Sequence, residues 1–295
     1  MPILGVDIGG THVTAARVHR AAAGFEIGPP RRGEVDASAD AESILAAWCG
    51  PIGRALAEGL VEGIAVAMPG PFDYPRGICL IRGVAKYESL YGLNVEQALR
   101  RRLRFDDRLP MRFENDCNAF VLGEYLAGAA RGARRVIGLT LGTGLGSGFL
   151  ADGEIQYEGP GVPPDASLGF VPYRDGTAED CISRRGLMRR YAELGGPHDT
   201  DVVAIAAEAA RGDPLARQLF AELGRMLAEV LAPWVRGFRP DALVIGGAIA
   251  RSFGLFEQTL AAGLPADLRV CPAQIADRAN LLGAAALLHR RIEAG

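Results

Sequence analysis

The chain has 295 residues, 49% hydrophobic and 23% charged, with a mean hydropathy of +0.12. At about 150 residues per domain this is two domains or one large one, and the apolar content excludes wholesale disorder. A net charge of −3 excludes the basic footprint of a dedicated nucleic-acid binder, and no apolar run reaches the roughly 18 to 20 residues of a membrane span. The five cysteines, Cys49, Cys79, Cys117, Cys181 and Cys271, are scattered singly, so neither a disulfide framework nor a Cys-x-x-Cys metal site is expected. Met1 to Asp7 enters a strand at once with no leader pattern, and the expected location is cytoplasmic, with no nucleic-acid or membrane partner. Of 32 basic residues, Lys86 is the single lysine.

In chain order, Ile3 to Ile8 reads as a strand, Gly9-Gly10-Thr11-His12 as a turn and Val13 to Val18 as a second strand, together a hairpin. Ala39 to Leu60 has helical spacing of Ile44, Leu45, Trp48, Ile52 and Leu56. Gly63 to Ala67 is a buried strand ended by Met68-Pro69-Gly70-Pro71; Val95 to Leu103 is a helix, Met111 to Glu114 a strand and Cys117 to Arg131 a helix. The pattern then restarts, with a strand at Arg135 to Leu141, a Gly-rich turn at Gly142 to Gly146 and a strand at Ser147 to Ala151. Strand, glycine turn, strand thus occurs twice, a weak internal repeat that predicts two similar domains. Residues 156–180 form a long structured loop rich in Gly, Pro and Asp. Helices follow at 183–194, 200–211 and 213–236, then a strand at Ala242 to Ile245 capped by Gly246-Gly247, and a further helix. Cys271 to Ile275 is a last strand and Asn280 to Ile292 a closing amphipathic helix.

Asp7-Ile8-Gly9-Gly10-Thr11-His12 puts a carboxylate at a strand end and glycines where backbone N–H groups can approach a phosphate. Asp7 could hold a Mg²⁺ that bridges phosphate oxygens. An ordinary Gly-Gly hairpin turn explains the same residues. Leu141-Gly142-Thr143-Gly144-Leu145-Gly146 follows the same logic; a strand after the glycines excludes a Rossmann site, and no Gly-Lys-Ser/Thr closes a P-loop. With Ile245-Gly246-Gly247-Ala248 there are three glycine turns at strand ends, as a nucleotide between two domains would need. Asp116, where a strand hands over to a helix, is either a helix cap or a general base for a substrate hydroxyl, with Asn115 bonding a neighbouring hydroxyl. The four histidines are too scattered for a His-centred metal site or a catalytic triad.

As a set, Asp7 to Thr11, Glu114-Asn115-Asp116-Cys117-Asn118-Ala119, and Leu141 to Gly146, with Met68 to Pro71 and Val244 to Ala248, resemble the ROK family of sugar kinases, part of the actin/hexokinase-like superfamily. The resemblance covers almost the whole chain. It implies an α/β fold of two ribonuclease-H-like domains, 1–115 joined by the C-terminal helix 280–295, and 116–279, closing over an interdomain cleft that holds sugar and ATP. It also implies Asp116 as the base, a sugar contact from Asn115, and phosphate contacts from Gly9, Gly10, Thr11 and Gly144. Gly70 and Glu179 are read as sugar-side residues, and His12, Thr143, Gly246 and Gly247 as nucleotide-side residues.

The sequence also departs from that pattern. Where such kinases carry a Glu-x-Gly-His segment with a zinc ligand, the matching stretch here is Ser167-Leu168-Gly169-Phe170. Residues 171–183 contain only Cys181, so no zinc is expected, and Ser167 stands at the altered sugar contact. Gly83 to Gly92 replaces a Pro-Asn-aromatic segment, and its Lys86 is either a solvated loop lysine or a compact ammonium held toward substrate. The expected activity is ATP-dependent phosphorylation of a hexose or hexose derivative, with Mg²⁺, the partners being a small-molecule sugar and ATP and a homodimer being an open possibility. The alternative is a catalytically weak sugar-sensing protein. ROK repressors carry a DNA-binding module ahead of the first glycine turn, and Asp7 leaves no room for one.

Overall fold

The computed structural model describes residues 1–22, 24–83, 86–106 and 108–294; Val84 and Ala85 of the 83–92 segment lie outside the described residues. The chain divides into two compact units, Met1–Ala127 together with the residues from Asp277 onward, and Gly128–Ala276.

In the first unit β1 (Ile3–Ile8) is buried at every position and pairs antiparallel with β2 (His12–Ala21), as the Gly9-Gly10 turn requires. Strand β2 also pairs with β3 (Gly24–Ile27) and β4 (Arg31–Glu34), two short strands whose alternating exposure gives little sequence signal. Helix α1 (Ala41–Leu56) starts on Asp40, whose carboxylate accepts from Ser43 N at 2.9 Å, and it buries Ile44, Leu45, Trp48 and Ile52. Strand β5 (Gly63–Met68) lies parallel to β1, and β6 (Phe72–Asp73) with β7 (Ile78–Cys79) forms a small separate pair. Helix α2 (Val95–Leu103) leads to β8 (Met111–Asn115), parallel to β5, and α3 (Asp116–Ala127) follows without a loop. The sheet order is β3-β2-β1-β5-β8, with β4 beside β2. The register Asp7↔Ala67 and Met68↔Asn115 brings the carboxyl ends of three adjacent strands together, where α/β sheets bind ligands.

The second unit repeats this scheme. Strands β9 (Arg135–Leu141) and β10 (Leu145–Ala151) form the hairpin, and β11 (Glu154–Ile155) adds to β10. The loop predicted at 156–180 contains β12 (Pro172–Tyr173), β13 (Gly176–Thr177) and the start of α4 (Ala178–Ile182). Helices α5 (Arg184–Glu193), α6 (Val202–Ala210) and α7 (Pro214–Phe238) precede β14 (Ala242–Gly246). Residues 249–255 wind as a 3₁₀ helix before α8 (Glu257–Ala261), and the last strand, β15, is Arg269–Pro272 rather than Cys271 to Ile275. The order β11-β10-β9-β14-β15, with β9, β14 and β15 parallel, mirrors β2-β1-β5-β8 of the first unit.

The chain then rejoins the first unit through α9 (Ala279–Ala294), which buries Leu281, Leu282, Ala285 and Leu288, while Ile292 of the expected stripe is exposed. Each buried leucine contributes about 1.5 to 3 kcal/mol. Helix α9 packs on α3 so closely that a Cβ on Gly123 would overlap the Ala279 carbonyl, and one on Gly283 the Ala119 carbonyl. This contact holds α3 in the first unit, so residues 116–127 lie there and not with 128–276, where the sequence division at 116 had put them.

Candidate functional site

In the first unit the site grows from the end of β1. Asp7 is 8% exposed, and burial pushes its carboxyl up to about 7, with the charges of Asp116 and Asp277 adding to the rise. Among the described residues its side-chain hydrogen-bond donor is Asn280 Nδ2 of α9, at 2.8 Å from Oδ1, which works against the rise, as does the charge of Arg32. Gly9 N donates to His12 O at 2.9 Å, so its N–H is spent closing the hairpin and does not face a ligand as the sequence reading implied. Among the described residues no acceptor meets the N–H groups of Gly10 and Thr11, and the space a Cβ would enter at Gly10 is open. The Gly9 carbonyl accepts from the Tyr87 hydroxyl. Thr11 and His12 line an open depression of about 870 Å³ with Arg32, Gly33 and Glu34. Burial, then the Arg32 charge, holds the His12 imidazole below its usual range, so His12 presents a neutral ring and not a cation at neutral pH.

The β8–α3 junction bears on the capping reading of Asp116. Asn115 Oδ1 accepts from Cys117 N at 2.9 Å and Asn118 N at 3.3 Å, so Asn115 is the residue that caps α3. Among the described residues Asp116 accepts from the adjacent Cys117, at 2.9 Å from N and 3.5 Å from Sγ; it is half-buried, and its charge reaches Asp7. Buried Glu114 braces the junction, accepting from Asn115 N at 3.0 Å and Asn118 Nδ2 at 3.1 Å, with Arg112 at 3.2 Å on its other oxygen. Asn115 Nδ2 donates to Tyr74 Oη at 3.0 Å, and Tyr74 donates to Met68 O at 3.1 Å, which leaves one Asn115 amide hydrogen for a ligand. Gly70 lies beside this pair, its Cβ position 3.2 Å from Tyr74 Oη. Lys86 is half-buried next to Tyr87 and has no ion pair among the described residues.

In the second unit Gly142 N donates to Gly144 O at 3.0 Å, tightening the turn, while no acceptor among the described residues meets the N–H groups of Thr143 and Gly144. Glu179 accepts from Leu145 N at 2.9 Å and fills the space a Cβ on Gly144 would need; the carboxylate read as a sugar contact braces the glycine turn. Gly247 has a positive φ of 88° and packs on Leu141, and Gly246 pairs with Thr140, so both shape the same turn from behind. Thr143 lines a cavity of about 330 Å³ with Arg184, Arg185, Arg189 and His198. Ser167 is half-buried between two anchored residues: Ser147 Oγ donates to Ala166 O at 2.7 Å and accepts from Leu168 N at 2.9 Å. Phe170 is 62% exposed.

Among the described residues no three or more His, Cys, Asp or Glu side chains form a metal-binding group. Mg²⁺ in phosphoryl transfer is commonly held by one or two carboxylates plus the phosphates, and the nearly unpartnered buried carboxylate of Asp7 fits that need.

The ROK family profile matches residues 3–291. The chain belongs to the ROK family. Among relatives, a glucokinase of Thermotoga maritima is 25% identical across 99% of this chain and 98% of its own, and one of Streptomyces coelicolor 27% across 96% of each. A ROK glucokinase of Streptomyces griseus, solved with glucose and AMPPNP, superposes with a TM-score of 0.79 at 27% identity over 97% of this chain and 99% of its own. The mixed α/β fold is therefore that of two actin/hexokinase-like domains. The DNA-binding repressor Mlc of Escherichia coli is 26% identical over 65% of this chain and 50% of its own. Sequence reasoning gave no role to Tyr74, Tyr87, Ser147 or Asn280, although Tyr87, Ser147 and Asn280 lie in segments it named.

Proposed function

We propose that this ROK protein is an ATP-dependent sugar kinase in which Asp116 takes the proton of the attacking hydroxyl. The observation that carries the reading is the β8–α3 junction: Asn115 caps the helix, so Asp116 is released from capping and stands within charge range of Asp7 at the glycine turn. A half-buried carboxylate with no cationic partner among the described residues can accept a proton as the sugar oxygen forms its bond to the γ-phosphorus and the bond to ADP breaks. Mg²⁺ on Asp7 would offset the charge of the phosphates. Gly10 and Thr11 offer N–H donors from the first unit and Thr143 and Gly144 from the second. The acceptor is read as a hexose or hexose derivative met by Asn115 and the Gly70–Tyr74 corner, with Ser167 and Lys86 as further contacts.

The test is sugar-dependent ADP release over a panel of hexoses, amino sugars and polyols, repeated with Asp116→Asn. At least one sugar should be turned over, and the variant should fold normally and lose about 10²- to 10⁴-fold in kcat. A folded variant within about threefold of the parent would remove Asp116 from the mechanism.

A further inference from the structure

The Tyr87 side chain is fully buried; its ring meets Trp48 edge-on at 5.3 Å between centroids, and its hydroxyl donates to the Gly9 carbonyl. Burial pushes the phenol up to about 12, so the group stays protonated and acts as a donor throughout the neutral range. The backbone is held as firmly: Tyr87 N donates to Ala37 O at 2.7 Å, and Tyr87 adopts a left-handed φ of 56°, which a bulky residue keeps only where its surroundings enforce it. Core packing alone would explain the ring, and a phenylalanine would serve it equally well. It does not explain a hydroxyl directed at a carbonyl of the glycine turn.

The Gly9 carbonyl and the Gly10 N–H belong to one peptide group. The bond is trans, so the two point in opposite directions. Fixing the carbonyl on Tyr87 therefore fixes the Gly10 N–H on the other side, where no acceptor among the described residues meets the donor; a Cβ at Gly10 would likewise enter open space. Two adjoining glycines make this peptide easy to rotate. A rotated peptide would turn a carbonyl oxygen toward the phosphates and repel them. We propose that Tyr87 is a positioning residue for nucleotide binding, locking the Gly9–Gly10 peptide with its N–H toward the phosphates. The proposal rests on the glycine turn being the phosphate site of the kinase described above. It also ties Tyr87, the residue after Lys86, to the phosphate turn.

Tyr87→Phe keeps the ring against Trp48 and removes only the donor. The expected result is a KM for ATP raised roughly tenfold, with the KM for sugar within about twofold and an unfolding midpoint near that of the parent. Calorimetric binding of Mg²⁺–ADP should weaken by the same factor. A parent enzyme that turns over sugar while Tyr87→Phe keeps its KM for ATP within about twofold overturns the proposal and leaves the kinase reading standing. A parent that neither binds Mg²⁺–ADP nor releases ADP with any sugar overturns both. Should the variant fail to fold, the parent decides the matter by NMR: the Gly10 amide must shift as Mg²⁺–ADP is added, and an unmoved Gly10 amide at saturation overturns the assignment.

Discussion

Replacing Asp7 by Asn should make the ligand-free protein more stable, and by an amount that depends on pH. In the folded protein burial raises the Asp7 carboxyl from 3.8 to about 7, whereas the unfolded chain releases that proton at its ordinary value. Below pH 4 both states hold the proton and the group has no effect. Between pH 4 and 7 the folded state keeps a proton the unfolded state has lost, so stability falls as pH rises. Above pH 7 the folded state carries a buried charge in full. A displacement of about three pH units corresponds to about 4 kcal/mol as an upper bound. Asn is isosteric, keeps an oxygen to accept from Asn280 and carries no charge, so it escapes the penalty. Urea unfolding of parent and variant from pH 4 to 9 should give unfolding free energies that coincide near pH 4 and part by about 2 to 4 kcal/mol at pH 8. A constant difference across that range, or a variant less stable than the parent at pH 8, would refute the argument. The same variant should lose the Mg²⁺-supported reaction, since the charge that destabilises the empty protein is the one a cation would meet.

Two further expectations concern the scaffold. Ser147→Ala removes both partners of the Ala166 carbonyl and Leu168 N–H, so it should cost about 1 to 3 kcal/mol by urea unfolding and speed proteolysis of the segment around Ser167; an unchanged midpoint with unchanged cleavage would show that the loop stands without it. Gly283→Ala forces a methyl into the Ala119 carbonyl and should cost about 3 kcal/mol or more, seen as a large loss of thermal stability; a parent-like melting curve would mean α3 and α9 do not lie against each other as described.

The parts of the molecule legible in sequence are those whose cause is local. Ile3–Ile8 is buried at every position, and a fully buried strand followed by Gly-Gly is visible in the letters; the same holds for Arg135–Leu141 and Gly142 to Gly146. Strands β3 and β4 are half-exposed edges of a few residues and carry no such signature. The role of Asn115 as helix cap was open to the local argument as much as that of Asp116, and only the bond directions decide between neighbours. Tyr87 and Asn280 reach partners 78 and 273 positions away, and nothing local to either residue announces the contact. Glu179 stands out in sequence as a carboxylate in the right place, but its use as a brace for the Gly144 turn follows from α4 returning to Leu145 across 34 positions.

The return of α9 to the first unit has a consequence for how the protein is made. The second unit is continuous from Gly128 to Ala276, so every residue it needs precedes α9 in the chain. The first unit lacks the helix that covers β1, β5 and α3 until residues 279–294 emerge. During translation the order of completion therefore runs against the order of synthesis, and the growing chain carries the bare surfaces of Ala119, Gly123 and Gly5 until α9 arrives. A nascent chain halted before residue 279 would present a folded later half behind an unfinished beginning, and that apolar face is what chaperones would have to shield.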